Sequence, residues 1–212
     1  MVKNKQQPVR SFVDSFSFNE AEHQGALDGV NIPSVTQILK AAGLTNFDFV
    51  DSGLLERNAT FGKAGHLVIQ YKCKGILDEA SVDEALKPYI AGWDNFVEDF
   101  GYVFHKSEVR GFHPVYRYTY GIDQLGEIAK GKYLGNAVGD IKFGITKPAD
   151  HIQLAGYKLA AGKEYKHIFI LYLNPKYPRG YKVLFATNNK SEQGTFLCCL
   201  SIFNYRKENG LL

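Results

Sequence analysis

The chain has 212 residues, of which 45% are hydrophobic, 14% aromatic and 22% charged. This composition excludes disordered, collagen-like and disulfide-scaffold proteins, and the length allows one domain with a sizeable core. The formal net charge of +3 is too small to identify an anionic partner, and it excludes none, because local patches matter more than net charge. The three cysteines lack the spacing of a zinc site and are expected to be reduced thiols.

The chain contains no segment that predicts secretion or membrane insertion. Residues 1–10 are polar and basic, with no apolar segment behind them, so we expect no signal peptide. The longest uncharged stretch, residues 194–205, has 12 residues, whereas a membrane span needs about 20. We therefore expect a soluble, cytoplasmic protein with no membrane partner.

The first half of the chain is predicted to be a helical lobe over residues 31–101, preceded by an irregular, partly extended arm over residues 1–30. Capping boxes and hydrophobic residues at helical spacing predict three helices. They begin at Ser34, near Leu55 and at the capping box Ser81–Glu84, and end at Gly43, Lys74 and Gly101, with a kink or restart at Pro88.

The second half is predicted to be an α/β core over residues 102–212, and the whole chain is interpreted as one domain. Short segments rich in β-branched and aromatic residues predict strands, and helices follow two of these segments. The predicted strands are 102–110, 115–122, 124–128, 136–143, 167–173 and 181–186, and the helices are 148–161 and 189–209.

Two acidic residues and a lysine suggest a phosphodiesterase centre. Asp140 and Lys142 project from the same face of a predicted strand, and Asp123 follows the preceding strand. Converging carboxylates need a cation, and hard oxygen ligands suit Mg²⁺ or Mn²⁺. Taken alone, the Asp140–Lys142 pair also fits an exposed ion pair, and Asp123 also fits a turn.

Two helical segments could complete this centre. His66 follows Gly62 and Gly65, which strip side chains from the helix and suggest close approach of another element or a ligand. Gln153 and Tyr157 share one helical face, where they could brace the strand or hold a phosphate. A core or rim position is the alternative for each of these residues.

In this order, the residues resemble the signature of RecB-type exonucleases of the PD-(D/E)XK nuclease superfamily. The matching positions are His66, Glu108, Tyr118…Gly121-Ile122-Asp123, Asp140-Ile141-Lys142 and Gln153…Tyr157. Residues 32–39 are also similar to the opening of phage and mitochondrial genome maintenance exonucleases. The family's proline is absent, Gly121 lies one residue nearer to Asp123 than usual, and Phe143 replaces a small hydroxyl residue.

The resemblance implies a restriction-endonuclease-like core, with a central mixed β-sheet flanked by helices, and a role for each matching residue. His66, Asp123, Asp140 and the carbonyl of Ile141 would bind Mg²⁺ or Mn²⁺, and Lys142 would be the motif lysine. Glu108 would support the centre or be a further ligand, and Gln153 and Tyr157 would position the lysine and DNA. It also implies a bacterial or phage-infected cell as the setting.

The leading hypothesis is a metal-dependent DNA exonuclease in recombination, repair or end processing. The alternatives are a structure-specific or restriction-type endonuclease, and a non-catalytic DNA-binding protein on a decayed nuclease fold. DNA contacts are expected from nearby basic residues, which are Arg57, Lys63, Lys106, Arg110, Arg117 and Lys142. A homo-oligomer or a recombination partner protein is left open.

Overall fold

The computed structural model describes residues 15–19, 22, 24–45 and 52–212. The helices are α1 (Val35–Ala41), α2 (Ser52–Cys73), α3 (Lys87–Phe100), α4 (Ala149–Ala161) and α5 (Lys190–Glu208). The strands are β1 (Phe16–Asn19), β2 (Gln24–Leu27), β3 (Val30–Ile32), β4 (Tyr102–His113), β5 (Tyr118–Ile128), β6 (Gly135–Phe143), β7 (His167–Leu173) and β8 (Tyr181–Phe185). Short 3₁₀ helices cover Glu79–Ser81 and Pro178–Gly180. None of the helices in these ranges combines the length and hydrophobicity needed to cross a membrane.

The centre of the fold is a five-stranded mixed sheet in the order β4-β5-β6-β7-β8. Strands β4, β5 and β6 form an antiparallel meander, β7 pairs parallel to β6, and β8 returns antiparallel to β7. Helix α4 provides the crossover that a parallel β6–β7 pair requires. The prediction of an α/β fold with a central mixed sheet flanked by helices is confirmed.

Each face of this sheet is covered by helices. Residues of α1, α4 and α5 pack on one face, and residues of α2 and α3 pack on the other. Strand β7, an almost uninterrupted apolar run, is buried on both faces from Ile168 to Leu173, as predicted. Phe96 of α3 and Phe196 of α5 are fully buried and anchor the two layers.

The N-terminal segment differs from the irregular arm that we predicted. Within the described residues, β1, β2 and β3 form an antiparallel sheet, and residues 1–14 lie outside the description. The β2–β3 connection is Asp28-Gly29, with φ values of 52° and 76°, as a tight hairpin turn requires. The amide of Thr119 donates to the carbonyl of Pro33 at 2.7 Å, which attaches this sheet to the start of β5.

Two further element predictions differ from the structure in detail. The third helix begins at Lys87 and not at the Ser81 capping box, which is the restart at Pro88 that the sequence allowed: Pro88 occupies the first helical turn, where its missing N–H costs nothing. The segments predicted as two strands on either side of Asp123 form one continuous strand, β5. Asp123 therefore lies within a strand and not in a turn.

A candidate active site where β5 and β6 separate

The two carboxylates meet where the β5–β6 ladder ends. The last pair is Gln124 with Gly139, so Asp123 and Asp140 are the next residues in register. Asp123 Oδ2 accepts a hydrogen bond from the Ile141 amide at 2.6 Å and so replaces a backbone ladder bond. Both aspartates line a cleft of about 640 Å³, which we call the acidic cleft.

Strand β4 is also irregular beside this point. Ser107 pairs with Gln124 and Val109 pairs with Ile122, but Glu108 between them has a left-handed φ of 56°. A non-glycine residue in this conformation is strained, and such strain is concentrated at functional sites. The left-handed residue interrupts the alternation of the strand, so Ser107 faces α2 whereas Val109 packs in the core on the opposite face.

Burial and charge oppose ionisation of Asp123. Its desolvation, followed by the negative charge of Asp140, raises the pKa of Asp123 to about 8, although the hydrogen bond from Ile141 acts in the opposite direction. Asp140 Oδ2 is buried and forms an ion pair with Lys142 Nζ at 3.1 Å, so one ammonium group faces two carboxylates. The carboxylate pair therefore lacks full compensation by protein groups.

Lys142 lies among acids. Burial disfavours its charged form, but the charges of Asp140 and Asp150 outweigh this effect and raise the pKa of Lys142. The ammonium group is therefore held in its charged form beside the carboxylates, where it can stabilise negative charge on a bound anion.

His66 reaches the same centre from helix α2. Its Nδ1 atom is 3.7 Å from Asp123 Oδ2, and burial lowers the pKa of the imidazole, which favours the neutral form that can bind a metal. Its ring packs edge-on against Phe143 at a centroid distance of 5.4 Å. The position of this helix beside β6 is therefore fixed by aromatic packing.

The oxygen donors fit a hard divalent cation. The Ile141 amide points towards β5, since it donates to Asp123. The N–H and C=O of a strand residue point to the same side, so the Ile141 carbonyl also faces the gap between β5 and β6. No three His, Cys, Asp or Glu side chains converge into a metal cluster within the described ranges. Mg²⁺ is commonly held by one or two carboxylates and several waters, so Asp123, Asp140 and the Ile141 carbonyl suit it, with His66 adjacent.

Helix α4 brings the last pair of predicted site residues to the cleft. Gln153 and Tyr157 are 5% and 3% exposed, and Gln153 Nε2 donates to the Tyr157 hydroxyl at 2.6 Å. Both residues line the acidic cleft. The small residue Gly156 lets α4 pack closely on Phe196, because a Cβ atom there would lie 2.6 Å from the ring.

The basic residues divide into two groups. Arg110 and Lys142 line the acidic cleft, together with Lys147, and Lys63 lines a neighbouring cleft of about 460 Å³, which we call the side cleft. Arg57, Lys106 and Arg117 line neither cleft within the described part of the chain. The expected set of DNA-contacting residues is thus only partly brought together at the carboxylates.

The two clefts meet at the carboxylates, and the side cleft contains polar residues that sequence reasoning did not identify. His66, Glu108, Asp123 and Ile141 line both clefts. In the side cleft, Gln70 Nε2 donates to Ser107 Oγ at 3.1 Å. Since Ser107 faces this side because of the strained residue 108, no sequence pattern could have indicated it.

Asp150 is a second site residue that sequence reasoning missed. It is 5% exposed, and its Oδ2 accepts from the Tyr172 hydroxyl at 2.5 Å and from the Lys147 amide at 2.6 Å. Asp150 thereby fixes the loop between β6 and α4, which forms one wall of the acidic cleft. An acid in the first turn of a helix was the available signal, but it indicates helix stabilisation only.

Comparisons with known proteins identify no family, because no protein-family model and no curated protein matches the sequence. The structure is similar to that of an alkaline exonuclease from Laribacter hongkongensis, with 13% identity and a TM-score of 0.39, over 85% of this chain and 95% of the other. A structure of that enzyme in complex with dAMP aligns with 12% identity and a TM-score of 0.39, over 84% and 93%. A candidate exonuclease from Eubacterium rectale aligns with 14% identity and a TM-score of 0.40, over 70% and 69%.

Proposed function

We propose that the chain is a Mg²⁺- or Mn²⁺-dependent deoxyribonuclease of the PD-(D/E)XK superfamily, in its RecB-type exonuclease branch. The observation that carries the proposal is the juxtaposition of Asp123 and Asp140 where β5 and β6 separate, with Lys142 Nζ 3.1 Å from Asp140. Two neighbouring carboxylates whose charge one lysine compensates only in part suit a cation and a phosphate group.

The reaction is hydrolysis of a phosphodiester bond. A water oxygen forms a bond to phosphorus, the ester P–O bond breaks, and the departing oxygen takes up a proton. A bound divalent ion would supply Lewis-acid polarisation and a more acidic water. Lys142 would stabilise the charge that develops on the phosphate, and Arg110 and Lys147 in the same cleft would attract the flanking phosphates.

Exonuclease activity in DNA recombination, repair or end processing, in a bacterial or phage setting, is the specific form of this proposal. A homo-oligomer or a recombination partner protein would belong to that role. Cleavage at ends and cleavage at internal positions require the same carboxylates and lysine, so the substrate must be varied to separate them.

The test is incubation with linear and circular DNA, labelled at 5′ or 3′ ends where the DNA is linear, with Mg²⁺, Mn²⁺ or a chelator. Metal-dependent release of nucleotides from linear DNA alone supports an exonuclease, and cleavage of circles identifies an endonuclease. Asp123→Asn and Asp140→Asn should abolish cleavage. The matched control is Glu127→Gln, an exposed acid on the same strand β5 that lies outside both clefts. DNA binding without cleavage under any metal condition would contradict the proposal and identify a binding protein.

A further inference from the structure

Helix α2 carries two glycines in the turn before His66, and only one of them is explained by protein packing. A Cβ atom at Gly65 would lie 2.3 Å from the Phe143 ring, so the close approach of β6 requires glycine there. A Cβ atom at Gly62 would have no atom of the described residues within 4 Å, and its φ lies outside the left-handed range. Neither sterics nor backbone conformation therefore requires glycine at position 62.

Glycine in a helix interior is unfavourable, since alanine at the same position would lose less backbone entropy. Gly62 lies ten residues inside a helix that begins at Ser52, so it does not cap an end. A helical glycine that contacts no described residue also occurs at position 194 of α5, outside both clefts, so it is the location of Gly62 that points to a function.

The position of Gly62 suggests what the glycine accommodates. Residues four apart lie on the same helical face, so Gly62 is one turn from His66, and both line the acidic cleft. The same cleft contains the carboxylates of Glu108, Asp123 and Asp140 and the cations Arg110, Lys142 and Lys147. The bare helix surface thus faces a cleft whose cations can contact phosphates and whose carboxylates can hold the divalent ion of the proposed function.

We propose that Gly62 is a substrate-contact position, at which the absent side chain lets the sugar–phosphate backbone of a DNA strand lie directly against α2. The inference rests on the proposed nuclease function and adds a substrate-binding surface to it. Backbone rather than base contact follows from the cations, because phosphates are the charged part of the strand. Any side chain at position 62 would then fill the space of the nucleotide next to the scissile bond.

The experiment compares Gly62→Ala and Gly62→Leu with the same two substitutions at Gly194. Gly194 lies in α5, is exposed, has no atom within 4 Å of its Cβ position in the described part of the chain, and lies outside both clefts. Unfolding temperature is measured by calorimetry, and KM and kcat are measured with labelled single-stranded and duplex oligodeoxynucleotides in Mn²⁺.

Both alanine variants should raise the unfolding temperature by about 2–4 °C, because both remove a helical glycine. Only the Gly62 variants should impair the reaction, with KM raised about threefold by alanine and on the order of tenfold or more by leucine, because the strand is displaced from the carboxylates. The Gly194 variants should retain wild-type KM and kcat.

Each other result would overturn the inference in a recognisable way. Folded Gly62→Leu with wild-type KM and kcat would show that no substrate lies against this surface, while the nuclease function stands. A lowered unfolding temperature in Gly62→Ala, without the rise seen in Gly194→Ala, would show that the glycine serves the protein's own packing. Wild-type protein that cleaves neither substrate would overturn the proposed function and this inference with it.

Discussion

Replacement of Asp123 by asparagine should change how the stability of the metal-free protein depends on pH. Burial and the neighbouring Asp140 raise the pKa of this carboxyl from 3.8 to about 8 in the folded chain. Between these values the folded state binds more protons than the unfolded state, so the free energy of unfolding falls as pH rises from about 4 to 8. Above pH 8 this contribution stays constant, with the carboxylate ionised at a cost.

The magnitude follows from the size of the shift. About four pKa units correspond to roughly 5–6 kcal/mol at about 1.36 kcal/mol per unit. About a third of the Asp123 side chain, 34%, is exposed, so solvent screening reduces this to about 2–3 kcal/mol. For a chain of this size, that corresponds to about 5–10 °C in unfolding temperature.

The assay is calorimetric unfolding of wild type and Asp123→Asn in chelator at pH 5 and pH 9. The asparagine oxygen can still accept the Ile141 amide, so the substitution chiefly removes the titrating charge. The two pH values span about three quarters of the titration range, so the unfolding temperature of wild type should fall by about 4–8 °C more than that of the variant. Mn²⁺ at pH 9 should stabilise wild type only. An equal pH response of the two proteins in chelator would refute the reasoning that the carboxylate pair is uncompensated without metal.

Three further substitutions test the remaining parts of the site. Lys142→Ala should lower the single-turnover cleavage rate by about 10²–10³-fold, while metal and DNA still bind. Lys142→Arg should restore the rate only in part, since a planar guanidinium cannot replace a compact ammonium. A wild-type cleavage rate in the alanine variant would contradict the assigned role. The unfolding temperature of Glu108→Gly, measured by calorimetry, should be about 2–4 °C higher than that of Glu108→Ala. Both variants lack the carboxylate, but only glycine adopts a φ of 56° without strain. Equal unfolding temperatures of the two variants would show that position 108 is unstrained. Tyr172→Phe should lower the unfolding temperature by about 4–8 °C, because it removes a buried hydrogen bond to Asp150 worth about 2 kcal/mol; an unchanged unfolding temperature would show that this bond contributes nothing.

Features with a local physical cause could be predicted from the sequence. The Ser34–Gln37 capping box, the left-handed Gly101 that ends α3 and the Asn189 cap of α5 all occur as expected. Each depends on a side chain or glycine that satisfies neighbouring backbone groups, so a few residues suffice. The apolar run of β7 was equally informative, because burial on both faces requires it.

The N-terminal strands and the continuity of β5 depend on distant partners and could not be predicted in this way. Strands β1 and β2 have four residues each, too few for an alternation to be distinctive. At Asp123, polar residues indicated a turn, but the chain stays extended because β5 pairs with β4 on both sides of this residue, at Ile122 and at Gln124. The register between β5 and β6 sets Asp123 opposite Asp140, so the error in secondary structure did not affect the predicted proximity of the two acids.

The left-handed Glu108 shows why the rest of the site is invisible to sequence patterns. Glutamate has no preference for this conformation, so the residue type gives no signal of it. Because the residue interrupts the alternation of β4, that strand contributes Val109 to the core and Ser107 to the side cleft. On the other side of β5, the β5–β6 ladder ends at Gln124 and Gly139, and the Asp123 carboxylate accepts the Ile141 amide in place of a backbone carbonyl. The irregularities of three strands therefore lie beside the two acids, and each depends on contacts between strands that are distant in sequence.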